Sequence, residues 1–156
     1  MEPWMQPMIW LKGLGTSGHQ VLAEAGRVLP PGLAKCLLVM AGGSLGAVSR
    51  YGVGLMAARF WGTHFPWGTL IVNLIGCFLI GLIFAAAERV RLLSPEVRLF
   101  LVTGYLGALT TFSSFAVETV NAGRLGLIVQ PLANILVNNI GGLALVVIGM
   151  RIGGLR

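Results

Sequence analysis

Apolar residues in this chain come in long unbroken blocks, with polar residues gathered between them. No Asp, Glu, Lys or Arg occurs from Phe60 to Ala87, from Leu99 to Val117 or from Leu125 to Met150. Each block is close to or longer than the roughly 20 residues an α-helix needs to cross ~30 Å of hydrocarbon. A further block, from Lys35 to Phe60, is interrupted in its interior by Arg50. The pattern predicts an all-α membrane protein with four transmembrane helices over about 35–60, 67–88, 97–121 and 127–151, forming one small domain over 35–156. Residues 1–34 are different. They hold Pro3, Pro7, Gly13, Gly15, Gly18 and the pair Pro30-Pro31, and their apolar run Met8 to Leu11 is shorter than a signal-peptide core. They read as a mobile or interfacial extension whose Trp4 and Trp10 suit the headgroup level.

The punctuation between blocks agrees with four helices. Gly62, His64 and Pro66 separate the first two, flanked by Trp61 and Trp67, which suit a membrane interface. Glu88 to Glu96 separates the second pair. There Ser94-Pro95-Glu96 reads as helix cap, first helical residue and an acidic charge at the positive end of the helix dipole. Asn121, Gly123 and Arg124 open the third loop, and Pro131 marks the ordered start of the last helix.

Composition excludes a soluble domain, with 56% of 156 residues hydrophobic and 10% charged. The net charge of +6 lies in the loops. Four spans place Lys12, Arg27, Lys35, Arg89, Arg91, Arg98, Arg151 and Arg156 on one side, against Arg59 and Arg124 on the other. That bias favours cytoplasmic termini, and the charge suits anionic lipid headgroups, not nucleic acid. Cys36 and Cys77 lack the spacing of a metal site and read as packing residues.

Small residues recur one turn apart in the first span, at Gly42, Gly46, Gly54 and Ala58, with Arg50 on the same ridge. Such residues let helix backbones approach closely. Gly68, Asn73, Gly76 and Gly81 mark the second span, and Asn134, Asn138 and Gly142 the last. Buried amides serve equally as interhelical hydrogen bonds or as the wall of a polar path. Arg50 within a span must snorkel to the headgroups or face a polar vestibule.

The most informative stretch is Gly104-Tyr-Leu-Gly-Ala-Leu-Thr-Thr-Phe-Ser-Ser-Phe115, which sets four aliphatic hydroxyls amid residues apolar enough to span. Irregular or polar backbone at membrane depth persists only where protein buries it or where it lines a wet path. This segment, together with Gly43-Ser-Leu-Gly-Ala-Val-Ser-Arg50-Tyr and Trp67-Gly-Thr-Leu-Ile-Val-Asn73, resembles the Fluc (CrcB) fluoride channels in order and spacing over residues 35–153.

The resemblance implies an antiparallel, dual-topology dimer of four-helix subunits, with the third helix broken and two fluoride pores. It implies passive fluoride export across the cytoplasmic membrane. It also implies a structural sodium ion at the dimer centre, held by the backbone carbonyls of Gly107 and Thr110. Phe112 and Phe115 would line the pores and Asn73 would contribute to the fluoride path. Asn134 and Asn138 stand where the family often has a tyrosine followed one turn later by a serine, so Asn138 takes a pore-side place; Arg50 keeps its two readings, snorkelling or vestibule, on its own chemistry. The chemistry agrees: fluoride is small and strongly hydrated, so its water must be replaced by donors that do not trap it. Asn73 brings an amide, Thr111, Ser113 and Ser114 bring hydroxyls, and the phenyl rings bring positive edges.

Two other readings compete. A proton-coupled multidrug-type exporter needs a membrane-embedded carboxylate, whereas Glu88 and Glu118 fall toward span ends. A non-transporting assembly subunit leaves the hydroxyl and phenyl cluster without a purpose. A hydrolytic enzyme lacks its groups, since His19 and His64 lie far from a supported nucleophile.

Overall fold

The computed structural model describes residues 30–90 and 94–154. The expectations for residues 1–29, with Trp4 and Trp10, and for Arg91 and Arg156 lie outside them. The described residues form α1 (Pro31–Trp61), α2 (Trp67–Val90), α3 (95–109), α4 (Phe112–Arg124) and α5 (Val129–Gly154). Helices α3 and α4 follow one another through the third apolar block, so the membrane-crossing lengths number four: Gly32–Trp61, Trp67–Ala87, Pro95–Arg124 and Val129–Gly154. The chain is a multi-pass membrane protein.

Local chemistry sets the helix ends. Gly62 adopts φ 74° and its N–H donates to the Ala58 carbonyl at 3.0 Å, closing α1 with a left-handed residue that only glycine adopts without strain. Ser94 caps α3, its Oγ accepting from Val97 N at 3.3 Å, with Pro95 as the first helical residue. Helix α4 runs on through Asn121, Gly123 and Arg124, past its expected end. It stops at Gly126, with φ 75°, where Gly126 N donates to Gly123 O and Leu127 N to Ala122 O. The last helix starts at Val129, two residues before Pro131. Pro131 sits in the first turn, where a missing N–H costs nothing.

Close backbone contact holds the helices of the 35–156 unit together. A Cβ on Gly42 or Gly46 would run into the carbonyl oxygens of Phe100 or Tyr105 on α3. One on Gly68 would lie 2.8 Å from the Cα of Gly54. Gly81 of α2 meets Val146 of α5, and Gly149 and Gly153 of α5 meet Phe78 and Leu82 of α2. The apolar centre is small: Val72, Leu106 and Leu109, packed by Val53, Leu79, Ile80, Ile83 and Tyr105. Large apolar residues such as Met40, Val48, Tyr51, Phe60 and Leu143 face outward, as hydrocarbon permits.

Candidate functional site

Helical bonding stops at Leu109 and resumes at Phe112. Between them Thr110 has φ −82°, ψ 155° and Thr111 has φ −153°, ψ 118°, both extended. Interrupting a helix at this depth frees N–H and C=O groups that must find partners.

Asn73 of α2 supplies the first of them. Its Oδ1 accepts from Thr111 N at 2.9 Å and its Nδ2 donates to Thr111 O at 3.2 Å. One side chain thus satisfies both backbone groups of one extended residue. Thr111 then caps α4, its Oγ1 accepting from Ser114 N at 3.2 Å. The same oxygen lies 3.2 Å from both Ser113 Oγ and Ser114 Oγ. In a continuous α-helix the N–H of Thr111 would bond to the carbonyl of Gly107, and that of Ser114 to the carbonyl of Thr110. Both donors have gone elsewhere. The carbonyls of Gly107 and Thr110 have therefore lost their helical partners, which is the condition for them to bind a cation.

The amides continue inward. Asn73 Nδ2 donates to Asn138 Oδ1 at 3.0 Å. Asn138 Nδ2 donates to Asn134 O at 3.0 Å and Asn134 Oδ1 at 2.8 Å. Asn134 Nδ2 donates to Thr119 Oγ1 at 2.8 Å, and that hydroxyl donates to Phe115 O at 2.7 Å. Asn134 is 1% exposed; a buried amide is tolerated because its hydrogen-bonding capacity is met.

A cavity of about 390 Å³ opens beside the interruption, with Asn73, Gly107, Thr110, Thr111, Phe112, Phe115 and Asn138 on its wall. Ser113 and Ser114 reach this group through Thr111 Oγ1 and are absent from the wall. The two rings lie 5.4 Å apart between centroids, inclined at 51°. Phe115 is 8% exposed and Phe112 76%. Gly76 backs the interruption, and a Cβ there would strike the Thr110 methyl. Arg50, half-buried on α1, lines neither this cavity nor the one described next.

The second cavity, of about 520 Å³, is bounded by Thr69, Glu118, Thr119, Asn134 and the α1–α2 loop at His64. Glu118 lies on α4 within its last two turns before Arg124, toward the span end as expected. Its Oε1 accepts from Thr69 at 2.8 Å, and its Oε2 is buried with no hydrogen-bond partner among the described residues. Sequence reading missed this pair, along with Thr119, Asn139 and Cys77. The signal was there in helical spacing, since Thr69 and Asn73 lie one turn apart, as do Phe115 and Thr119. Thr69 falls inside the Trp67–Asn73 motif, but Glu118, Thr119 and Asn139 fall outside any such motif.

Known proteins are similar to this chain over most of its length. The family model described as "CrcB-like protein, Camphor Resistance (CrcB)" matches residues 37–150. The chain belongs to the CrcB family. Its similar relatives include the "Fluoride-specific ion channel FluC" of Legionella pneumophila (strain Paris), 49% identical over 117 residues, covering 75% of this chain and 87% of the relative. The protein of that name from Salinibacter ruber is 47% identical over 117 residues, covering 74% and 86%. The one from Dehalococcoides mccartyi (strain CBDB1) is 42% identical over 123 residues, covering 79% and 95%. The CrcB match extends across all four spans and takes in the interruption, both phenyl rings and the asparagines.

Proposed function

We infer that this chain is a fluoride-selective channel, not an enzyme, which lets fluoride leave the cell passively across the cytoplasmic membrane. Membership of a family whose matched relatives are fluoride-specific ion channels carries the reading. The site supports it chemically. Fluoride entering a narrow path must exchange its water for other donors. Thr111 provides a hydroxyl on the cavity wall, with the Ser113 and Ser114 hydroxyls bonded to it from behind, and Phe112 and Phe115 provide ring edges. The described residues lining the 390 Å³ cavity include no Lys, Arg or His, so nothing there binds an anion strongly enough to hold it. Asn73 and Asn138 complete the wall.

The working unit in this reading is a homodimer of oppositely oriented copies embedded in lipid. The freed carbonyls of Gly107 and Thr110 from both copies would hold a shared sodium ion at its centre. That ion supplies fixed positive charge to four oxygens otherwise left without partners in hydrocarbon, and has no part in the passage of fluoride.

Fluoride efflux from liposomes containing the purified protein tests the proposal. Fluoride should leave without a proton gradient, and chloride should not follow. Efflux that needs a proton gradient returns the multidrug-type exporter to first place, and equal chloride flux removes the selectivity.

A further inference from the structure

The proposed pore contains more amide than its ion can use. Backbone chemistry fixes how each amide points. Thr111 N–H can face only an oxygen and Thr111 C=O only a donor, so Asn73 must present Oδ1 to the first and Nδ2 to the second. Its remaining amide proton then requires an acceptor, so Asn138 must turn Oδ1 toward Asn73. Asn138 Nδ2 is left facing the main-chain carbonyl of Asn134 at 3.0 Å and its Oδ1 at 2.8 Å. Every N–H of Asn73 and Asn138 is occupied within the protein.

We propose that Asn138 is a positioning residue, the middle member of an amide relay in which donation runs from the extended Thr111 through Asn73 on α2 and Asn138 to Asn134 on α5. The relay fixes the interruption in place, and contact with the anion falls to the Thr111 hydroxyl and the rings on the cavity wall. This rests on the channel reading for what the interruption does, but not for how it is held. The inference also accounts for the break in helical bonding. Asn73 takes the Thr111 N–H away from the Gly107 carbonyl, and it is held in position to do so by Asn138.

The isosteric change Asn138→Asp tests the relay. The introduced carboxylate can still accept from Asn73, but its second oxygen replaces the donor facing Asn134 O, and a main-chain carbonyl in a helix cannot turn away. In its anionic form the new side chain therefore repels Asn134, whereas its protonated form restores a donor. Other titratable groups nearby are Cys77 of α2, on the same cavity wall, Glu118 of α4, bonded to Thr69, and His64 of the α1–α2 loop. None hydrogen-bonds to the relay, and normalising to wild type at each pH removes their effect.

Fluoride efflux by N138D should fall roughly tenfold or more at pH 8, the scale expected for an unsatisfied buried group, and recover as pH is lowered to 6. Wild-type efflux at pH 8, or loss without recovery in acid, overturns the proposal. A second measurement is independent of transport. In Asn138→Leu, hydrogen–deuterium exchange over residues 107–116 should accelerate at least severalfold over wild type, and unchanged exchange overturns the relay. If wild-type liposomes pass no fluoride, the channel reading fails while the exchange comparison still decides the relay.

Discussion

The two phenyl rings differ in a way that separates transport from stability. Phe115 is packed at 8% exposure and Phe112 stands open at 76%, yet both border the same cavity. Replacing either with isoleucine keeps an apolar side chain but removes the ring edge and its positive electrostatic rim. Phe112→Ile should lower fluoride efflux more than tenfold with almost no change in thermal unfolding. Phe115→Ile should do the same and also destabilise the fold, by well under the roughly 3–5 kcal/mol that truncating a buried Phe to Ala costs. Paired efflux and melting measurements check both. Normal conduction by both variants would reduce the rings to packing. Asn73 makes the companion point, since a single amide satisfies two backbone groups 38 positions away in sequence.

At the scale of elements, glycine sets the spacing. Gly46 of α1 lies against the Tyr105 carbonyl of α3, so Gly46→Val must push the two helices apart just where α3 approaches its interrupted end. The expected result is a melting temperature lower by several degrees, consistent with overpacking costs of about 1–3 kcal/mol, and reduced efflux. Unchanged melting would mean that this contact does not hold α1 in place. The elements also show what the sequence disclosed. Four spans were legible because hydrocarbon allows few charges within a span, and Ser94-Pro95 announced α3 because capping depends on neighbouring residues. The meeting of Asn73 with Asn138, and of Thr69 with Glu118, was not legible. Such pairings depend on how two helices are rotated about their axes. Residues one turn apart identify a face, but they do not say which helix that face meets. The π-helical turns at Leu99–Leu106 and Val137–Gly141 change that rotation partway along α3 and α5, and carry no residue signature of their own.

For the whole molecule, the small buried centre and the many outward apolar side chains describe a chain that needs surroundings, whether lipid or a second copy. In the proposed dimer, exchanging sodium for a large organic cation should lower the melting temperature or shift the population toward monomer, by mass action on the assembled state. Labelled sodium should not accompany fluoride into or out of liposomes. Sodium moving in fixed ratio with fluoride would overturn the structural role, and stability indifferent to sodium would remove the site. The two hydrogen bonds from the Asn73 amide to Thr111 tie the shape of one span to the presence of another. With Asn73 absent, the Thr111 N–H would find its nearest acceptor in the Gly107 carbonyl, so an isolated third span would favour an unbroken helix. The interruption belongs to the packed pair of spans and not to the sequence of span three alone.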